Sequence, residues 1–217
     1  GLVGAGRTEV CQSIFGVMPP DKGSIKLNGQ EVKINSPKKA LKLGVGLLPE
    51  DRQIQGLVNE IPIYENVSSA NMNKFASMGL LNNDKEMDAA IELCNKIQLK
   101  AKDIADPPSS LSGGNQQKVV FAKLLNVDLK VLILDEPTKG IDVGAKYSIY
   151  EIMNELASNG YAIIMVSSEM PEVLGMADRI VVMNSGRVIK TFDAKDATQE
   201  KILEASLTKS PDAGKEA

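Results

Sequence analysis

Histidine is absent from the 217-residue chain, and so is tryptophan. The missing imidazole excludes Ser-His-Asp and Cys-His nucleophile pairs, histidine-ligated zinc and a histidine general base supplied by this chain. Its chemistry has to use carboxylates, hydroxyls, amides or cations. There are two cysteines, Cys11 and Cys94, each alone in apolar surroundings. Neither a disulfide framework nor a metal cluster is indicated, and a reducing compartment is expected. No apolar run approaches the roughly 18 residues of a membrane-crossing helix, and no charged-then-apolar leader opens the chain. A basic excess is missing too: 25 Lys and Arg stand against 28 Asp and Glu, a net charge of −3. That balance carries no footprint for nucleic acid.

What remains is the composition of an ordinary soluble globular protein, 43% hydrophobic and 24% charged. Short β-branched runs alternate with amphipathic stretches, which predicts an α/β fold with a largely parallel sheet. Residues 23–27, 45–48, 131–134, 161–166 and 179–183 read as strands. The last three are continuous apolar runs of the kind buried on both faces. Residues 37–43, 143–158 and 169–176 read as helices. Residues 64–126 carry almost no strand signal; helical spacing covers 65–73, 85–99 and 113–125, with a polar, Pro-containing linker at 99–110. The predicted organisation is an α/β core from residues 1–63 and 127–190, a helical subdomain at 64–126, and a C-terminal helix and tail at 191–217. Met165, Met170, Met176, Tyr64 and Phe75 read as core, and Lys38, Lys39 and Lys42 as a solvated helix face.

Three segments carry chemistry. Gly1-Leu2-Val3-Gly4-Ala5-Gly6-Arg7-Thr8 has the glycine spacing that lets backbone N–H groups converge on phosphate oxygens at a helix start. Arg7 stands where a lysine is usual, and Thr8 keeps a hydroxyl for Mg²⁺. A glycine-rich turn opening a helix would read the same way. Val131-Leu132-Ile133-Leu134-Asp135-Glu136 is a buried-strand run ending in two carboxylates. At the carboxyl end of a parallel strand, Asp135 is placed to hold Mg²⁺ through water and Glu136 to orient or deprotonate an attacking water. Its bland alternative is a solvated turn. Ser109-Ser110-Leu111-Ser112-Gly113-Gly114-Asn115-Gln116-Gln117-Lys118 is the most specific segment. Ser112 can cap the following helix, while Gly113 and Gly114 clear side chains from its positive end so that a phosphate can approach. A purely structural cap rarely needs two glycines, because they weaken the first turn.

In this order, the glycine-rich loop, the Leu-Ser-Gly-Gly helix and Leu134-Asp135-Glu136-Pro137-Thr138 resemble the nucleotide-binding domain of ATP-binding cassette (ABC) ATPases, a P-loop NTPase core carrying a helical subdomain. Pro49-Glu50-Asp51-Arg52, Gly140-Ile141-Asp142-Val143-Gly144-Ala145-Lys146 and Ser167-Ser168-Glu169-Met170-Pro171-Glu172 narrow the resemblance to the second, C-terminal cassette of bacterial monosaccharide importers of the ribose, galactose and xylose type. In that family two cassettes share one polypeptide, so the first strands and an adenine-stacking aromatic are expected upstream. The resemblance implies ATP and Mg²⁺ as ligands. It places Gly1, Gly4, Ala5, Gly6, Arg7, Thr8, Glu9, Glu50, Ser112, Gly113, Gly114, Asn115, Gln116, Asp142 and Ser168 at nucleotide, Thr8, Asp135 and Glu50 at the metal, and Glu136 in catalysis. The implied partners are a first cassette, a transmembrane sugar permease on the cytoplasmic face and, indirectly, an external sugar-binding protein.

Three positions depart from a fully active cassette: Arg7 for lysine, Glu50 for glutamine and Ser168 for histidine. A carboxylate at Glu50 adds negative charge near phosphates, and Ser168 cannot carry positive charge. These departures predict a local site that binds nucleotide but hydrolyses it poorly, and the resemblance implies head-to-tail cassette pairs in which the Ser112 helix completes the partner cassette's site. A non-hydrolytic regulatory half is the alternative. A DNA-repair or translation ATPase is disfavoured by the acidic balance and the short helical segment.

Overall fold

The computed structural model describes residues 4–77 and 79–208. In chain order these form α1 (Arg7–Phe15), β1 (Ile25–Leu27), β2 (Gln30–Val32), α2 (Pro37–Lys42), β3 (Val45–Leu48), α3 (Ile63–Ser68), β4 (Ala76–Ser77), β5 (Leu80–Leu81), α4 (Asn83–Lys96), α5 (Gly113–Leu125), β6 (Val131–Asp135), α6 (Val143–Ser158), β7 (Ala162–Val166), α7 (Met170–Met176), β8 (Arg179–Asn184), β9 (Arg187–Asp193) and α8 (Gln199–Leu207). A single π-helical turn, Arg52–Gly56, follows β3.

A parallel sheet in the order β3-β6-β7 is the scaffold of the site. Leu48 pairs with Leu134 and Asp135 with Val166, so the ends of all three strands lie at one level. The apolar run of β6 follows from its surroundings. Leu132 and Leu134 point into a cluster built with α3, α4, α5 and α6, while Ile133 points into one with Cys11 of α1 and Ala40 of α2. All three leucine and isoleucine side chains are fully buried, each worth roughly 2 kcal/mol of apolar burial. Helix α5 is enclosed almost all round, with Val119, Val120, Phe121 and Ala122 buried. Two of its lysines partly offset their desolvation by donating to carbonyls, Lys118 to Gln98 and Lys123 to Gly56, both at 3.0 Å. Burial lowers the pKa of both amines.

Three expectations need correction. Residues 179–183 do not join the parallel sheet: β8 pairs antiparallel with β9, and its burial alternates because one face packs on α8 while the other is open. Residues 191–193, expected in the C-terminal helix and tail segment, instead end the strand β9, whose outward residues are exposed. The helical stretch contains a two-residue hairpin, β4–β5, and its first helix shortens to α3 before a tighter 3₁₀ run, Ser69–Lys74. A cavity of about 980 Å³ lies between β7 and β8, with Val10, Cys11 and Ile14 of α1 on one wall. Ile164 on β7 is 42% exposed. Both cysteines are free and buried, and burial pushes the Cys11 thiol up to about 12. Among the described residues no helix is long and apolar enough to cross a membrane.

Candidate nucleotide site

The loop before α1 turns on two left-handed glycines, Gly4 at φ 78° and Gly6 at φ 87°. Only residues without a Cβ adopt this conformation cheaply. The Ala5 carbonyl accepts from Gly186 N at 3.0 Å, which docks the loop on the β8–β9 turn. A Cβ on Gly6 would sit 2.9 Å from Gly186 Cα, whereas one on Gly4 would meet nothing within 4 Å. Gly6 occupies the N-cap of α1 without a side chain to satisfy the helix's first N–H groups, leaving them available to an anion. Glu9 lies exposed in that first turn. Gly1 falls outside the described residues.

Strand β6 delivers the two carboxylates to the same place. Asp135 is 2% exposed, and its Oδ1 has no hydrogen-bond partner among the described residues. Burial raises its pKa; a hydrogen bond from Thr8 opposes this, the charges of Glu50 and Glu136 add to it, and Arg7 opposes it again. An orphaned buried carboxylate oxygen beside a threonine hydroxyl fits Mg²⁺, which takes one or two protein oxygens and fills its sphere with water and phosphate. No cage of three or more acidic, Cys or His groups occurs among the described residues.

Glu136 is held differently. Its backbone sits at φ 49°, a strained value for a side-chain-bearing residue, and its N–H donates to Val166 O at 2.9 Å. Its Oε2 accepts from both the backbone N and the Oγ of Ser168 at 3.0 Å. Its Oε1 lies 3.3 Å from Arg7 Nη1, which also donates to Ser167 O at 3.0 Å. The guanidinium is therefore directed to Glu136 and the loop after β7, and Ser168 satisfies the same carboxylate from the other side. Glu50 pairs with Lys139 at 2.6 Å on the surface, where solvent makes the pair weak.

The start of α5 is packed rather than open. Ser112 holds the N-cap position, but contrary to expectation its side chain makes no capping bond. Its Oγ accepts from Asn115 Nδ2 at 3.0 Å, and Asn115 Oδ1 accepts from Lys100 N at 2.9 Å. A Cβ on Gly113 would lie 2.7 Å from Arg52 Nη2, and one on Gly114 would lie 2.5 Å from Ala145 Cβ. Close approach to Ala145 is a sufficient reason for Gly114, while at Gly113 a side chain would have to displace the Arg52 guanidinium and crowd the Gly140 carbonyl. Gln116 Nε2 donates to Pro108 O at 3.2 Å, and Asp142 caps α6 by accepting from Ala145 N at 2.9 Å. Arg52, Lys139 and Ser167 belong to the site although sequence reasoning named none of them as site residues. The Pro49-Glu50-Asp51-Arg52 motif was the available signal for the first.

Left-handed glycines before α1, an orphaned aspartate at the end of a parallel strand and a glutamate beside it are arranged as in a P-loop NTPase fold. Residues 1–139 match the family described as ABC transporter, and the chain belongs to that family. It is 45% identical over 206 residues to the ribose import ATP-binding protein RbsA of Geobacillus kaustophilus, covering 95% of this chain and 42% of that protein. It is also 47% identical over 204 residues to the xylose import ATP-binding protein XylG of Thermoanaerobacter pseudethanolicus, covering 94% of this chain and 40% of that protein. The chain thus spans about two fifths of the length of these curated relatives. Among solved structures, a dimeric ATP-binding cassette in a post-hydrolysis state with ADP and Pi superposes with a TM-score of 0.74 at 20% identity, over 89% of this chain and 83% of that one. The cassette cbiO1 of Clostridium perfringens does so at 0.73 and 28% identity, over 94% and 78%.

Proposed function

We propose that the chain is the second cassette of an ATP-binding subunit that energises monosaccharide import at the cytoplasmic face of the membrane, with a sugar permease and an external sugar-binding protein as further partners. The importer relatives support the sugar, and β7 is an edge strand among the described residues, with a cavity beside it that has room for a further strand. The N–H groups of α1 would hold the phosphates, and Asp135 and Thr8 the Mg²⁺. Bound there, Mg²⁺ neutralises phosphate charge. Hydrolysis additionally needs a glutamate free to orient water.

The observation that carries the reading is the engagement of Glu136 by Arg7 and Ser168 on both of its oxygens. A carboxylate so held is a poor acceptor for a water proton, so this site binds nucleotide and turns it over slowly. The signature helix at Ser112 completes the site of the first cassette, which performs most of the hydrolysis. The same ion pair also favours a half that only binds.

Glu136→Gln in the complete two-cassette protein tests this. The expected result is retained ATP binding with total turnover changed by less than about twofold. Loss of half the turnover or more would contradict it. Zero single-turnover cleavage at this site, with nucleotide bound, would establish the purely binding half.

A further inference from the structure

Arg52 is the first residue of the π turn after β3, and Asp51 fixes that turn by accepting from Gln53 N at 3.0 Å and Ile54 N at 3.1 Å. Its guanidinium makes no ion pair among the described residues. It donates to main-chain carbonyls instead: Nη1 to Lys139 O at 2.9 Å and Nη2 to Gly140 O at 3.4 Å. Nε faces Gln116 Oε1 at 3.5 Å, and Gln116 is anchored in turn on Pro108. The plane of the guanidinium also fills the space a side chain at Gly113 would need. Three segments distant in sequence therefore meet on one planar cation: the turn after β3, the first turn of α5, and the loop that leads from Glu136 to the Asp142 cap of α6. That loop is gripped nearby at Glu50–Lys139 and at Thr138, whose hydroxyl donates to buried Glu172 at 2.8 Å.

We infer that Arg52 is a positioning residue that makes the loop behind Glu136 and the start of α5 move as one body. A displacement of Glu136 shifts the Lys139 and Gly140 carbonyls, and the guanidinium passes the shift to Gly113 and Gln116. This deepens the proposed function, on which its nucleotide-driven part rests: occupancy at α1 is signalled to the helix that serves the other cassette. A lysine cannot substitute, because one ammonium cannot span two carbonyls and an amide in fixed geometry.

Hydrogen exchange on the full chain, read by mass spectrometry, tests it in two arms. Without nucleotide, Arg52→Ala accelerates exchange in residues 113–117 and 138–142 together, by about tenfold, with residues 131–135 unchanged. Arg52→Lys does the same and decides the matter if the alanine variant fails to fold. Loosening of one segment only, or wild-type behaviour of Arg52→Lys, overturns the inference. With MgATP added, wild type shows protection changes both at residues 7–11 and at 113–117, and the variants keep the first and lose the second. A retained change at 113–117 overturns the coupling. Absence of any ATP response at residues 7–11 in wild type would sink the nucleotide-site reading instead, and the first arm would still judge the staple.

Discussion

The chain starts two helices with paired glycines, and the two starts are built on different physical needs. At Gly4 the need is conformational, since φ is positive and nothing among the described residues occupies the space a Cβ would enter; Gly6 shares the positive φ and adds a close approach, 2.9 Å from a built Cβ to Gly186 Cα. At Gly113 and Gly114 no positive φ occurs, and the need is close approach to Arg52 and Ala145. The first loop keeps room for a ligand beside an orphaned carboxylate. The second is already filled on one side by its own chain. One composition thus meets two needs, a left-handed turn at α1 and a close-packed helix start at α5. The glycine count of each motif does not distinguish them.

The sharpest way to break this contrast is Gly114→Val, whose side chain has to displace Ala145; it is expected to cost about 3 kcal/mol in chemical denaturation. A cost under a few tenths would mean that packing does not explain the glycine. Asp135→Asn is expected to act in the opposite direction. Burial raises the folded pKa of Asp135, so the folded state binds its proton more tightly and stability falls as pH rises through that pKa. The asparagine variant should melt a few degrees higher at pH 7, with the gain vanishing below the unfolded carboxylate pKa near 4, while Mg²⁺-dependent ATP binding is lost. Gly4→Ala meets no clash, so only the left-handed backbone is penalised, by about 1 kcal/mol. Ser112→Ala is the smallest change, below about 0.5 kcal/mol, because no capping bond is lost; Asp142→Ala, which removes a real cap, should cost about 1 kcal/mol. Equal costs for the two would show that Ser112 caps after all.

Much of the fold was legible where burial is symmetrical. The run 131–134 reads as a buried strand because both its faces are covered, and helix α5 has the predicted bounds of residues 113–125. The strands β2 and β9 escaped because each is a polar edge with exposed outward residues. Their turns carried the missing signal: Asn28-Gly29 and Ser185-Gly186 both adopt positive φ in two-residue hairpins, a pairing readable from sequence. Of the site, the sequence pattern yields the carboxylate pair and the three departures at 7, 50 and 168. It cannot tell that two of these departures converge on a single glutamate. That follows from the register of β6 and β7, which sets Asp135 opposite Val166 and so places Glu136 beside Ser167 and Ser168. The motif at residues 49–52 flagged Arg52, but its partners were illegible, since two of the three are main-chain carbonyls, which have no residue signature.

Strain and desolvation are concentrated at one end of the sheet. Glu136 at φ 49°, the orphaned Asp135 oxygen and the glycine loop are each unfavourable alone and lie within a few residues' reach of one another. Burial of the Leu132–Ile133–Leu134 run beneath them offsets that cost.

Slow turnover at this site, as proposed, requires that Arg7 and Ser168 keep Glu136 from its water. The direct measurement is single-turnover ATP cleavage at this site in Arg7→Lys/Glu50→Gln/Ser168→His, within the complete protein and with the other cassette's glutamate disabled. The account predicts a gain of about tenfold or more over the unmodified site, with nucleotide affinity little changed. Cleavage no faster than in the unmodified site, with ATP and Mg²⁺ fully bound, would contradict it.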